Sequence, residues 1–96
     1  MEMKNKGMDP FLLTIRPGDP PSHLRHDGQE FIYMLSGKME FRLGKESMQL
    51  AAGDSVYFDS SLLHSTRIIG RKPVKFLSLA LGGVTPKTLR VHRRGK

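Results

Sequence analysis

Met39-Glu40-Phe41-Arg42-Leu43 alternates apolar and polar residues without a break, and after Gly44-Lys45 the run Glu46 to Leu50 resumes the pattern with Met48 and Leu50 on its apolar side. A period of two describes an extended strand with one buried face and does not fit the 3.6-residue stripe of a helix. Gly44 stands at the first central position of a two-residue turn, so the segment reads as a β-hairpin. The same punctuation recurs along the chain. Phe11 to Ile15 is cut by Arg16-Pro17-Gly18-Asp19-Pro20-Pro21, Phe31 to Leu35 by Ser36-Gly37, Ser55 to Phe58 by Asp59-Ser60-Ser61, His64 to Ile69 by Gly70-Arg71-Lys72-Pro73, and Val74 to Leu81 by Gly82-Gly83. Seven or more short strands with closely spaced turns and no amphipathic helix predict an all-β sandwich or barrel.

One run predicts what must cover it. In Phe31 to Leu35, Phe31, Tyr33 and Leu35 share one face and Ile32 and Met34 the other, so both faces are apolar. Such a strand has to be covered on both sides, one by the barrel interior and the other by a second sheet or a second subunit, and a homodimer is the expectation. Residues 1–10 are expected to be a flexible leader, 11–83 the barrel and 84–96 a basic tail.

With 96 residues and no cysteine, the chain is one small domain without disulfides or thiolate metal sites. The net charge of +7 is concentrated at one end: residues 1–86 hold 11 Lys+Arg and 9 Asp+Glu, and residues 87–96 add Lys87, Arg90, Arg93, Arg94 and Lys96 with no acid. A short basic terminus reads as solvated rather than as a nucleic-acid reader, so direct nucleic-acid binding is not expected. No run is long enough to span a bilayer and the charged start lacks the apolar core of a signal peptide, so the expected location is the cytoplasm, away from membranes.

The chemistry-bearing residues are few. His26 and Glu30 are four apart, and Asp27-Gly28 favours a turn leading into a strand, on which both side chains leave by one face. His64 heads a later strand. Two imidazoles and a carboxylate form a facial set suited to divalent iron, manganese, nickel or zinc. Spacing alone leaves another reading open, with His26 and His64 as polar caps at a barrel mouth and Glu30 paired with Arg25. His92 lies within the basic tail.

His26-x3-Glu30-x6-Gly37, followed by Gly53-Asp54-Ser55-Val56-Tyr57-Phe58 and then His64, resembles the two motifs of the cupin superfamily over residues 11 to 82. The resemblance implies a double-stranded β-helix, or jelly-roll, barrel. The variety it is most similar to is the small cupin found alone or as the C-terminal sensor half of helix-turn-helix regulators. Carried over residue by residue, the implied metal ligands are His26, Glu30 and His64, with His23 a weak fourth. The chain departs from the full pattern at Leu24, where families with a complete site have the first histidine of His-x-His, and at Asp59, Leu63 and Ile68, where proline, proline and asparagine are usual. The departure at Leu24 leaves the presence of a metal open.

The resemblance implies a small-molecule-binding module of the sensor kind, with or without one divalent metal. The expected ligand pocket is walled by Ile32, Met34, Met39, Phe41, Tyr57 and Phe58. The other implied class is a metal-dependent dioxygenase, isomerase or decarboxylase acting on a small polar metabolite, in which Tyr57 or His23 would move a proton.

Overall fold

The computed structural model describes residues 8–20, 22–24, 28–81 and 89–92. Among them nine strands follow in order: β1 Met8–Ile15, β2 Ser22–Leu24, β3 Gln29–Ser36, β4 Lys38–Leu43, β5 Glu46–Ala51, β6 Ser55–Asp59, β7 His64–Ile68, β8 Val74–Leu81 and β9 Leu89–His92. They form a five-stranded sheet in the order β1-β8-β3-β6-β9 and a four-stranded sheet in the order β2-β7-β4-β5. Every pairing is antiparallel. This is the all-β architecture that the strand pattern predicts and the double-stranded β-helix barrel that the resemblance implies.

The alternation decides which side chains enter the space between the sheets. On β4 Met39, Phe41 and Leu43 are buried and Arg42 is exposed, while Glu40 reaches Arg67 on β7 with Oε1 3.3 Å from Nη2. On β3 Ile32 and Met34 turn inward and meet Leu50, Val56, Phe58, Val74 and Phe76 in a single core. The hairpin at Gly44-Lys45 is present, with Leu43 opposite Glu46 and Gly44 at φ 57°.

Gly37 connects the two sheets between β3 and β4. Its φ is +83°, and a Cβ there would lie 2.5 Å from the Pro73 carbonyl oxygen, so both conformation and space demand glycine.

The Gly53-Asp54 segment is a structural turn. The Asp54 carboxylate accepts the Ala51 N–H at 2.8 Å, its own N–H donates to the Ala51 carbonyl at 2.9 Å, and Met34 N–H donates to the Asp54 carbonyl at 2.9 Å. Asp54→Ala leaves the half-buried Ala51 donor without its acceptor and is expected to cost about 1 kcal/mol, read as a lower midpoint of urea unfolding.

Three segments differ from the sequence expectation. β1 begins at Met8, so Met8–Pro10 of the expected leader pairs with Leu81–Leu79 of β8. β1 is an edge strand, where a proline that lacks an N–H is tolerated. Ser22–Leu24, expected only as the chain leaving a bend, forms β2 on β7, and Leu89–His92 of the expected tail forms β9 on β6. Runs of three and four residues carry no usable periodicity of their own. The remainder of the leader, residues 1–7, and residues 84–88 and 93–96 of the tail lie outside the described residues.

Candidate functional site

Inward alternation on β3 carries a carboxylate as well as apolar groups. Glu30 precedes Ile32 and Met34 on the same face and is buried, with Phe58 of β6 and Ala80 of β8 as its ladder partners. Burying a carboxylate is costly unless polar groups meet it. Ser78 Oγ donates to Glu30 Oε2 at 3.0 Å, and His64 Nε2 stands 3.7 Å from Glu30 Oε1.

His64, the first residue of β7, is also buried. Its Nδ1 lies 2.9 Å from the Leu62 carbonyl oxygen. A carbonyl only accepts, so Nδ1 carries the hydrogen and the ring presents Nε2 toward Glu30. Phe58 meets the imidazole edge-on with ring centroids 4.8 Å apart, and Phe41 lies behind at 6.4 Å. Among the described residues a hydrogen bond and two rings hold the imidazole, which fixes its orientation and its tautomer.

The pair lines a cavity of about 200 Å³ between β1 and β7. Leu13, Ile15, Ile32 and Phe76 form its apolar walls, and Glu30, His64, Ser65 and Thr66 are among its polar members. The structure thus brings Glu30 and His64 together. His26 lies outside the described residues. For His23 and Leu24 the backbone ladder alone is described, with His23 opposite Ser65 and Leu24 opposite His64.

Of the expected pocket walls, Ile32 lines this cavity. Met34, Met39, Phe41 and Phe58 are fully buried members of the core. Tyr57 lies on the other face of β6 from Val56 and Phe58, and its hydroxyl donates to Gln29. Ser78 is the site residue that sequence reasoning passed over. Its signal was present, as a small polar residue in register with the inward Val74 and Phe76 of a strand otherwise apolar but for Lys75.

Among the described residues no three His, Cys, Asp or Glu side chains form a group that could hold a metal ion. Two donors of such a set are nevertheless placed. Ligands about 2.0–2.2 Å from one ion stand roughly 3.0–3.5 Å apart, a few tenths of an ångström closer than Glu30 Oε1 and His64 Nε2. With its Nδ1 donating to the Leu62 carbonyl, the ring turns Nε2 to the Glu30 side of the cavity. Glu30 and His64 are two of the three ligands that the resemblance implies, and the third, His26, lies outside the described residues.

No curated protein matches the chain. Solved structures do. The cupin domain of an XRE family transcriptional regulator from Enterobacter cloacae is 26% identical, with a TM-score of 0.71 over 84% of each chain. An uncharacterized Klebsiella pneumoniae protein with a double-stranded β-helix domain is 20% identical, with a TM-score of 0.70 over 96% of this chain and 80% of that one. Oxalate decarboxylase of Bacillus subtilis is 23% identical, with a TM-score of 0.69 over 86% of this chain and 24% of that one, so the chain spans about a quarter of that enzyme. The latter two are likenesses of fold. The cupin-domain profile matches residues 11–80, from within β1 to the penultimate residue of β8, and the chain belongs to the cupin domain family.

Proposed function

We propose that this cupin domain binds a small organic molecule that lodges its apolar part between β1 and β7 and sets one polar group against Glu30 and His64, as a sensor or binding module rather than an enzyme. The observation that carries this reading is a buried, oriented carboxylate–imidazole pair opening into a cavity with apolar walls. A few fixed polar groups in an apolar cleft is the usual construction of a ligand site, and about 200 Å³ is below the usual range of about 300–1,000 Å³, so the ligand is compact. The likeness to a regulator's cupin domain over most of both chains supports the sensor role.

A second reading is favoured by the way His64 Nε2 faces Glu30: a metal-dependent enzyme of the dioxygenase, isomerase or decarboxylase kind acting on a small polar metabolite. Bound iron, manganese, nickel or zinc would polarise a substrate oxygen there. Glu30 and His64 would hold it, with His26 as the third ligand, while Ser78 and the Leu62 carbonyl keep the two ligands oriented.

Elemental analysis of protein purified without added metal, combined with a thermal-shift screen of small organic compounds, separates the readings. On the binding-module reading the parent carries no stoichiometric metal, and one compound at about 100 times its Kd adds about 2.7 kcal/mol, a rise of roughly 10 °C or more in Tm. His64→Ala and Glu30→Gln lose that rise. Stoichiometric metal in the parent that is lost in His64→Ala and His26→Ala overturns it in favour of the enzyme.

A further inference from the structure

A second cavity, of about 560 Å³, lies where two turns of the barrel meet. Lys38 follows the β3–β4 turn, Arg71 and Lys72 stand in the β7–β8 turn, and all three line this cavity, with Ala51, Ala52 and Ile69 among its apolar members. No residue lining it also lines the cavity at Glu30 and His64, which stand at the opposite ends of β3 and β7. The backbone holds the two turns together. Ile69 N–H donates to the Lys38 carbonyl at 3.0 Å, Lys38 pairs with Ala51 on the β4–β5 ladder, and an added Cβ at Gly37 would lie 2.5 Å from the Pro73 carbonyl oxygen. The spacing of the three cation-bearing positions is thus set by paired backbone.

Little in the described chain answers their charge. Among the described residues lining the cavity none is acidic, and Lys38, Arg71 and Lys72 are exposed and in no ion pair. Asp54, near Ala51 and Ala52 in sequence, is buried with its carboxylate on the Ala51 N–H, and Glu40 is held by Arg67. The neighbouring cleft of about 290 Å³, which shares Gly70, holds Arg16 and Arg67 but also Asp19, so more of its charge is met within the chain. Like charges gathered by a fold repel, and an anion between them removes that cost.

We propose that this cavity binds a small molecule carrying a diphosphate. Its volume lies within the range of about 300–1,000 Å³ usual for a metabolite site and is far larger than one ion requires. A diphosphate offers several negative charges and acceptor oxygens at one place for the three cations to share, whereas a carboxylate offers a single charge. Arg71 supplies a planar fork that matches two phosphate oxygens, and Lys38 and Lys72 act as point charges. Ala51, Ala52 and Ile69 give the uncharged part of the molecule a surface to lie on. The clustering of the cations in one cavity favours a compact anion over a nucleic-acid strand, whose charges are strung along its length.

Isothermal titration calorimetry of the full chain in low-salt, magnesium-free buffer at neutral pH tests this, with inorganic pyrophosphate as the probe. The parent is expected to bind one pyrophosphate per chain, at least about 10-fold more tightly than orthophosphate, with affinity falling as salt is raised. Arg71→Ala and, separately, Lys38→Gln are expected to weaken binding at least about 10-fold with the cooperative melt retained. Arg71→Lys keeps the charge and loses the fork, so it recovers only part of the affinity. Arg42→Ala on β4, and Arg93→Ala combined with Arg94→Ala in the basic terminus, remove charge elsewhere and leave binding unchanged. A parent that binds no pyrophosphate, folded Arg71→Ala and Lys38→Gln variants that bind it as the parent does, or binding lost in the Arg93 and Arg94 variant instead, overturns the proposal. A short single-stranded DNA that binds the parent more tightly than pyrophosphate and depends on Arg71 overturns it in favour of a nucleic acid.

Discussion

Phe58→Ala is expected to lower stability by about 3–5 kcal/mol, the usual cost of emptying a phenylalanine site in a core that cannot fully collapse. Phe58 is fully buried and stacks at 4.8 Å against Phe41 on the opposite sheet, so its loss opens a void between the two sheets. A domain of this size has about 5–15 kcal/mol in all, and each kcal/mol is worth roughly 4–8 °C, so Tm should fall by more than about 12 °C. Urea unfolding of parent and variant measures it. A loss under about 1 kcal/mol would mean that the two sheets are not packed through this ring.

The same residue links the core to the site, because its ring packs T-shaped against the His64 imidazole. Phe58→Leu fills most of the volume and should cost only about 1 kcal/mol, yet it removes the ring against which His64 is set. Binding of whatever ligand the thermal-shift screen identifies is therefore expected to weaken by more than the fall in stability explains.

Gly37→Ala should be more damaging than the same change at Gly18, Gly44 or Gly70, costing at least about 3 kcal/mol. Two penalties combine: a side chain at φ +83° is strained in itself, and its Cβ meets the Pro73 carbonyl oxygen at 2.5 Å, backbone that cannot swing aside. Gly44→Ala isolates the first penalty. Gly44 has φ +57° but nothing within 4 Å of the added Cβ, so about 1–2 kcal/mol is expected. The difference between the two urea midpoints reads the clash alone, and equal losses would refute the close approach of β3–β4 to Pro73. Gly37 lies at the far end of β3 from Glu30, so ligand affinity in the folded fraction should be unchanged.

Much of this was legible before any coordinates. The regular alternation of residues 39–43 and 46–50 states which side chains face inward, and the same rule applied to β3 sends Glu30 in with Ile32 and Met34. That rule also separates Tyr57 from Phe58, since adjacent residues of a strand face opposite sides and cannot both wall one pocket. The two apolar faces of residues 31–35 foretold an outer surface in need of cover, which the described chain leaves half open. Less legible were β2 and β9. Their pairing is decided by the exposed edges of β7 and β6, and so little chain has no pattern of its own.

By itself the sequence determined the class of structure, the inward and outward residues and the chemistry available, because strand periodicity and turn residues are local properties. Only the tertiary structure decided where that chemistry is used. The cavity lies between β1 and β7, which are far apart in sequence and share no ladder, so no local pattern could place Leu13, Ile15 and Phe76 around Glu30 and His64. Likewise Ser78 became a partner of Glu30 only when the β3–β8 ladder set Ile32 opposite it. A contact across a barrel depends on register and closure, which involve the whole chain at once.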